Sequence, residues 1–157
     1  MIKYRTLHET SVERSGPQLL AVNNYHRYKN WGTVAEPWYQ KAPSKLGWWV
    51  GYNGFIDVDG KFTQTRFIGE ETLAATGHNC DAEERCDAVH FCCALSGDNE
   101  TLNEAQKKTL RDLYAGKIPL KTTIALYHFD ITKCEDKFHR ELQAARTCPR
   151  SLQASSF

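Results

Sequence analysis

The chain has 157 residues, enough for one domain of ordinary size that buries about two-thirds of the surface its unfolded form exposes. Hydrophobic residues make up 41% and charged residues 25%, close to the globular average, which excludes a disordered or fibrous chain. Lys plus Arg number 20 against 19 Asp plus Glu, so no basic field exists to grip nucleic acid, and nucleic acid is excluded as a partner.

No apolar run approaches the roughly 20 residues that cross a bilayer, and the opening Met1 to Thr6 lacks the apolar core of a signal peptide. The expectation is synthesis in a cytoplasm, with no membrane span. The six cysteines (Cys80, Cys86, Cys92, Cys93, Cys134 and Cys148) should then stay mostly reduced, in metal binding, catalysis or burial.

Tyr4 to His8 alternates as a strand that delivers His8 at its end. A helix follows, with Pro17 suited to its first turn and Leu19, Val22 and His26 on one face, until Asn30-Trp31-Gly32 stops it. Thr33 to Lys45 reads as a long loop with two prolines. Trp48 to Arg66 alternates as a hairpin turned at Asp59-Gly60. Ala88 to Leu95 is an almost unbroken apolar run, interrupted by His90, as a central strand covered on both faces requires. Thr101-Leu102-Asn103-Glu104 has the form of a capping box, and Leu102, Ala105, Leu110 and Leu113 share one side of a helix that Gly116 can end. Thr122 to Tyr127 reads as a second short strand ending in a histidine, His128. Asp136 to Arg146 reads as a helix closed by Cys148-Pro149, and 151–157 as a polar tail.

Two strands ending in histidine and a late cysteine offer the imidazole and thiolate donors that zinc prefers. Each histidine alone is more often a satisfied polar residue, so the order of motifs carries the signal. His8-Glu9-Thr10, Tyr25-His26-Arg27 with Trp31-Gly32, Gly51 to Gly60, Gln64-Thr65-Arg66, Gly77-His78-Asn79, Ser96-Gly97-Asp98, His128-Phe129-Asp130 and Cys148-Pro149 follow one another along nearly the whole chain. In that order they resemble the N-acetylmuramoyl-L-alanine amidase family of bacteriophage lysozymes and peptidoglycan recognition proteins.

The resemblance implies an α/β (α+β) fold, with a central mixed β-sheet flanked by helices, and a single catalytic domain over 1–157. It implies one zinc ion held by His8, His128 and Cys148, with Tyr52 as the active-site tyrosine. Arg146 falls where many members carry lysine or threonine, and a guanidinium that stays protonated can stabilise charge but not shuttle a proton. His78 matches a position near the pocket that is not a ligand. Trp49 and Asn53 are candidate substrate contacts, Trp49 because aromatic faces stack on sugars, and aromatic packing in the core is the competing reading for it. Zinc would make water a nucleophile near neutral pH and polarise the scissile carbonyl, and Tyr52 could hydrogen-bond the attacking water or the oxyanion.

The chain departs from the family at Asn53 and Glu9, where histidine and a second histidine or cysteine are usual. Twenty positions separate His128 from Cys148, about twice the family's usual gap, so Cys134 competes as third ligand. Cys92 and Cys93 read as packing thiols, and Cys80 and Cys86 as flanks of a charged loop that a disulfide or second metal could close. The expected function is hydrolysis of the amide between N-acetylmuramic acid and L-alanine by a monomer whose partner is peptidoglycan. A phage endolysin that reaches the wall through a partner pore is the preferred setting; a cytoplasmic recycling amidase and a non-catalytic binding module are the alternatives. A purely structural zinc site would present paired Cys-x-x-Cys spacing, which this chain lacks.

Overall fold

The structure is a computed structural model, and it describes residues 2–10, 16–75, 77–80, 86–95, 101–123 and 128–142. Its elements are β1 (Tyr4–Glu9), α1 (Leu19–Tyr28), β2 (Thr33–Ala35), β3 (Gln40–Ala42), β4 (Gly54–Ile56), β5 (Phe62–Gln64), β6 (Ala88–Cys93), α2 (Glu104–Tyr114), a 3₁₀ turn (Ile131–Lys133), β7 (Glu135–Phe138) and α3 (His139–Leu142). Five strands form a mixed sheet in the order β5-β4-β6-β1-β7, and β2 pairs with β3 as a separate hairpin. Within the sheet β1 runs parallel to both β6 and β7, β4 runs parallel to β6, and only β5 is antiparallel to its neighbour.

Side chains of a strand alternate between the faces of its sheet, and paired residues of parallel strands share a face. Leu7, Ile56, Val89, Phe91, Cys93 and Phe138 therefore lie on one side, where they join Leu110, Leu113 and Tyr114 of α2 in the principal core. Each such fully buried apolar side chain stabilises the fold by about 1.5–3 kcal/mol. The other side carries a smaller cluster of Phe55, Cys92 and Ala94, over which Leu19 and Val22 of α1 and Tyr52 pack. Thr6, His8 and His90 belong to this second side, so the sheet presents its polar histidines beneath α1 rather than α2.

α1 has no side-chain cap of its own. The buried carboxylate of Asp57 instead accepts the backbone N–H groups of Gln18 (2.9 Å) and Leu19 (3.1 Å), satisfying donors that a helix start leaves open and favouring its dipole. At the other end the Nδ1 of buried His26 accepts the Gly51 N–H at 2.9 Å. The helix is thus pinned to the segment that precedes β4 and to the turn that follows it.

Three expectations change. The capping box of α2 is formed by Asn103 and Gln106, each side chain accepting the other's backbone N–H, two residues beyond the Thr101 start read from sequence. Glu135–Phe138 is a strand and His139–Leu142 a single helical turn, where sequence suggested a helix from Asp136; residues 143–157 lie outside the described residues. Cys80 and Cys86 form a disulfide across six positions, so these two are not reduced thiols, whereas Cys92 and Cys93 are buried thiols, as read. The strand expected over Thr122 to Tyr127 falls partly outside the described residues; Thr122 makes an isolated bridge to Ile68. The turn at Asp59-Gly60 is as expected, with Gly60 at φ 83°, a conformation that favours glycine.

Candidate active site

β1 and β7 are adjacent and parallel, in the register Leu7 with Phe138, so the residue following each pair falls at the same height of the sheet. Those residues are His8 and His139. Their rings lie 4.7 Å apart, centroid to centroid, both side chains buried. Tyr52 completes the group, its half-buried ring 4.9 Å from that of His8. On the third side, the His8 Nε2 lies 3.1 Å from the Nδ1 of His90, which β6 supplies.

The position of Tyr52 follows from bonds on both sides of it. The Gly51 N–H is held by His26, the Tyr52 carbonyl accepts the Thr65 hydroxyl at 2.7 Å, and Asn53 is bonded to the backbone of His90. Beneath this segment the buried guanidinium of Arg66 donates to the carbonyls of Trp31, Trp49, Val50 and Glu71. The tyrosine therefore rides on irregular backbone whose polar groups are satisfied by three buried side chains.

Burial holds the His8 imidazole well below the usual histidine range, and the neighbouring His90 and His139 push in the same direction. Burial likewise lowers His90 to about 4, opposed by the His78 carbonyl that its ring touches. Neutral imidazoles keep lone pairs, and that is the state in which they bind a metal.

His128 does not take the place expected of it. It is exposed in a turn ahead of the 3₁₀ segment, whereas the histidine rings against His8 are those of His90 and His139. β7, which pairs with β1, is the strand that delivers a histidine beside His8; residues 124–127, ahead of His128, lie outside the described residues. Cys134 is also displaced: it is buried in the principal core with Leu7 and Phe138, on the opposite face of β1 from His8, and burial raises its thiol. Glu9 alternates to that opposite face as well, in register with Cys93.

Asn53, expected to touch substrate, is buried, with Oδ1 accepting the His90 N–H and Nδ2 donating to the Phe67 carbonyl. The His78 ring pairs with Asp87 at 3.1 Å, and its carbonyl accepts from His90. Trp49 is half-buried, packed so closely on Gly32 that a Cβ there would come within 2.5 Å of its ring, with Arg27 5.7 Å above it. Arg146 and Cys148 lie outside the described residues. Sequence reasoning missed His139, although its nine-position distance to Cys148 removes the wide gap that His128 leaves.

As a zinc site the group is two donors of a set. Among the described residues no three His, Cys, Asp or Glu side chains are gathered to hold a metal, and no helix is long and apolar enough to cross a membrane. The imidazoles of His8 and His139 at the ends of adjacent strands fit a zinc ion that takes its third donor from elsewhere in the chain.

No family model matches the chain, and no curated protein matches it. Solved structures do. The endolysin N-acetylmuramoyl-L-alanine amidase LysCS from Clostridium intestinale superposes with a TM-score of 0.59 at 17% identity, covering 94% of this chain and 74% of that one. The endolysin of Thermus scotoductus bacteriophage Ph2119 gives 0.61 at 16% identity, covering 98% and 80%. PGRP-LB of Drosophila gives 0.61 at 14% identity, covering 94% and 74%. At these identities the likeness establishes a shared fold.

Proposed function

We propose that this chain, which has the fold of N-acetylmuramoyl-L-alanine amidases and peptidoglycan recognition proteins, is a zinc-dependent peptidoglycan amidase with His8, His139 and Cys148 as its metal ligands. The observation that carries the reading is the meeting of His8 and His139 at 4.7 Å with Tyr52 beside them, on a sheet of this fold. His139 takes the role first assigned to His128. Cys148 keeps its role because a cysteine nine positions after His139 can return to a site at the end of β7.

When bound, zinc supplies Lewis acidity that makes water nucleophilic near neutral pH and polarises the scissile carbonyl between the lactyl group and L-alanine. His8 and His139 would hold it, His8 as a neutral donor kept so by burial. Tyr52, whose ring lies 4.9 Å from that of His8, would hydrogen-bond the attacking water or the oxyanion, a contact worth on the order of 10²-fold in rate. Glu9 is removed from proton transfer by its position on the other face of β1, which leaves Tyr52 or a water to carry the proton toward the leaving amine. Arg146, in this reading, stabilises developing charge. An endolysin is the setting we favour, since two of the structural neighbours named above are endolysins.

The test is zinc analysis combined with digestion of purified peptidoglycan. Wild type should release free amino groups without new reducing ends. Zinc should be lost from His139→Ala and Cys148→Ala and retained in His128→Ala and Cys134→Ala. Retention in His139→Ala with loss in His128→Ala would reverse the ligand assignment. Zinc-loaded protein that binds peptidoglycan and releases nothing would make the chain a binding module.

A further inference from the structure

We infer that His90 is a positioning residue that fixes the tautomer of His8, with the His8 proton on Nε2 and the metal-donating lone pair on Nδ1. The inference rests on the zinc reading above and adds a residue to it. Its starting point is a carbonyl. The His78 oxygen can only accept, and it lies 3.1 Å from the Nε2 of His90, so that nitrogen carries a proton. A neutral imidazole has one N–H, which leaves the His90 Nδ1 as a lone pair. The His8 Nε2 lies 3.1 Å from that lone pair and must donate to it. In the reverse order two lone pairs would face each other inside a buried site. His8 is then left with Nδ1 as its one free donor to a metal.

The chain of bonds is anchored where a tautomer relay needs to be rigid. The His78 backbone N–H bonds to the Ala75 carbonyl at 3.0 Å, its ring pairs with Asp87, and Cys80 two positions later is bonded to Cys86. At its other end His90 is held through its backbone by Asn53, whose N–H donates to the His90 carbonyl and whose Oδ1 accepts the His90 N–H, each at 2.8 Å. The His90 ring thus has its backbone and its far nitrogen fixed before it meets His8. Partners of this kind, which orient a metal-binding histidine through its second nitrogen, typically change metal affinity about 10–100-fold when removed.

The experiment is a long-range ¹H–¹⁵N correlation spectrum of protein labelled at histidine nitrogen, without metal and with added zinc, together with chelator-competition zinc affinities for wild type, His90→Leu and His90→Asn. Wild-type His8 should show the Nε2–H tautomer before zinc is added, and its Nδ1 resonance should move on zinc binding. His90→Leu should lose about 10–100-fold in zinc affinity and mix the His8 tautomers. His90→Asn keeps an acceptor near the position of Nδ1 and should recover most of that loss. Wild-type His8 in the Nδ1–H form overturns the inference, and this needs no variant to fold. A His90→Leu protein that binds zinc as tightly as wild type overturns it as well. Wild type that shows the Nε2–H form and binds no zinc refutes the amidase reading while leaving the bond order standing, so the two failures are read separately.

Discussion

Asn53 grips the backbone of His90 at two points: its N–H donates to the His90 carbonyl and its side-chain Oδ1 accepts the His90 N–H, both at 2.8 Å. The side-chain Nδ2 adds a bond to the Phe67 carbonyl, and the residue is buried. Asn53→Leu preserves the volume and orphans the buried His90 N–H, whereas the Phe67 carbonyl keeps the Glu70 N–H. The expected loss is about 1–3 kcal/mol, the cost of one buried donor left unsatisfied. Urea unfolding measures it, and a loss below about 1 kcal/mol would show that water replaces the amide.

His26 makes the fold sensitive to acid. Its Nδ1 must keep a lone pair to accept the Gly51 N–H, and burial, helped by the nearby Arg66 charge, lowers its pKa to about 4. The unfolded chain takes up this proton near the ordinary histidine value of about 6.5. The stabilisation is therefore complete above about 6.5 and is lost as the pH falls from there to about 4, where the folded form also protonates. The window corresponds to a loss on the order of 3 kcal/mol for this one residue. Unfolding free energies of wild type and His26→Gln between those pH values should differ in slope by about one proton, and equal slopes would exclude His26 as the sensor.

Tyr52→Phe removes a hydroxyl and keeps the ring that lies against His8. Zinc content should be unchanged and turnover on peptidoglycan should fall on the order of 10²-fold. Loss of zinc in this variant would instead assign Tyr52 to holding the site together.

The sequence made β1, β6, α2 and the Asp59-Gly60 turn legible, because each is announced by a local period or a turn dipeptide. It did not announce β7. Glu135-Asp136-Lys137-Phe138 is charged at three of four positions, as an edge strand tolerates, and only Phe138 is buried. What makes it a strand is its pairing with β1, a contact between residues 131 positions apart such as Arg5 with Asp136. Without that partner the stretch joined the helical pattern that follows it, and the histidine delivered beside His8 was sought at His128. His8 and His90 likewise lie far apart in sequence, at 82 positions, and the place of His90 in an apolar run marked it as odd without saying what it faced.

Arg66 is wholly buried, and its guanidinium donates to four carbonyls from three separate stretches, at Trp31, at Trp49 and Val50, and at Glu71. Burial presses its pKa down, and the Glu70 and Glu71 carboxylates press it back up. A lysine ammonium is a compact point charge that cannot span four acceptors in this fan. Arg66→Lys should therefore destabilise the fold by about 3 kcal/mol or more, in the range for breaking a buried charged network. A Lys variant as stable as wild type would mean that the loop carbonyls find water, and that the backbone beneath Tyr52 is not fixed by Arg66.

The Cys80–Cys86 disulfide acts on stability through the unfolded chain. It closes a loop of six positions with both cysteines buried, and the chain-entropy relation for so short a loop gives about 2 kcal/mol. Reductant, or the double change Cys80→Ala with Cys86→Ala, should lower the unfolding free energy measured in urea by that amount and Tm by about 4–8 °C. The loop carries more than entropy, because the His78 carbonyl that accepts the His90 Nε2–H lies two positions before Cys80. If the crosslink also steadies that carbonyl, the double variant should weaken zinc binding as well as stability. If it acts through the unfolded state alone, stability falls and zinc affinity is unchanged. Measuring both on one protein separates a staple for the chain from a support for the site.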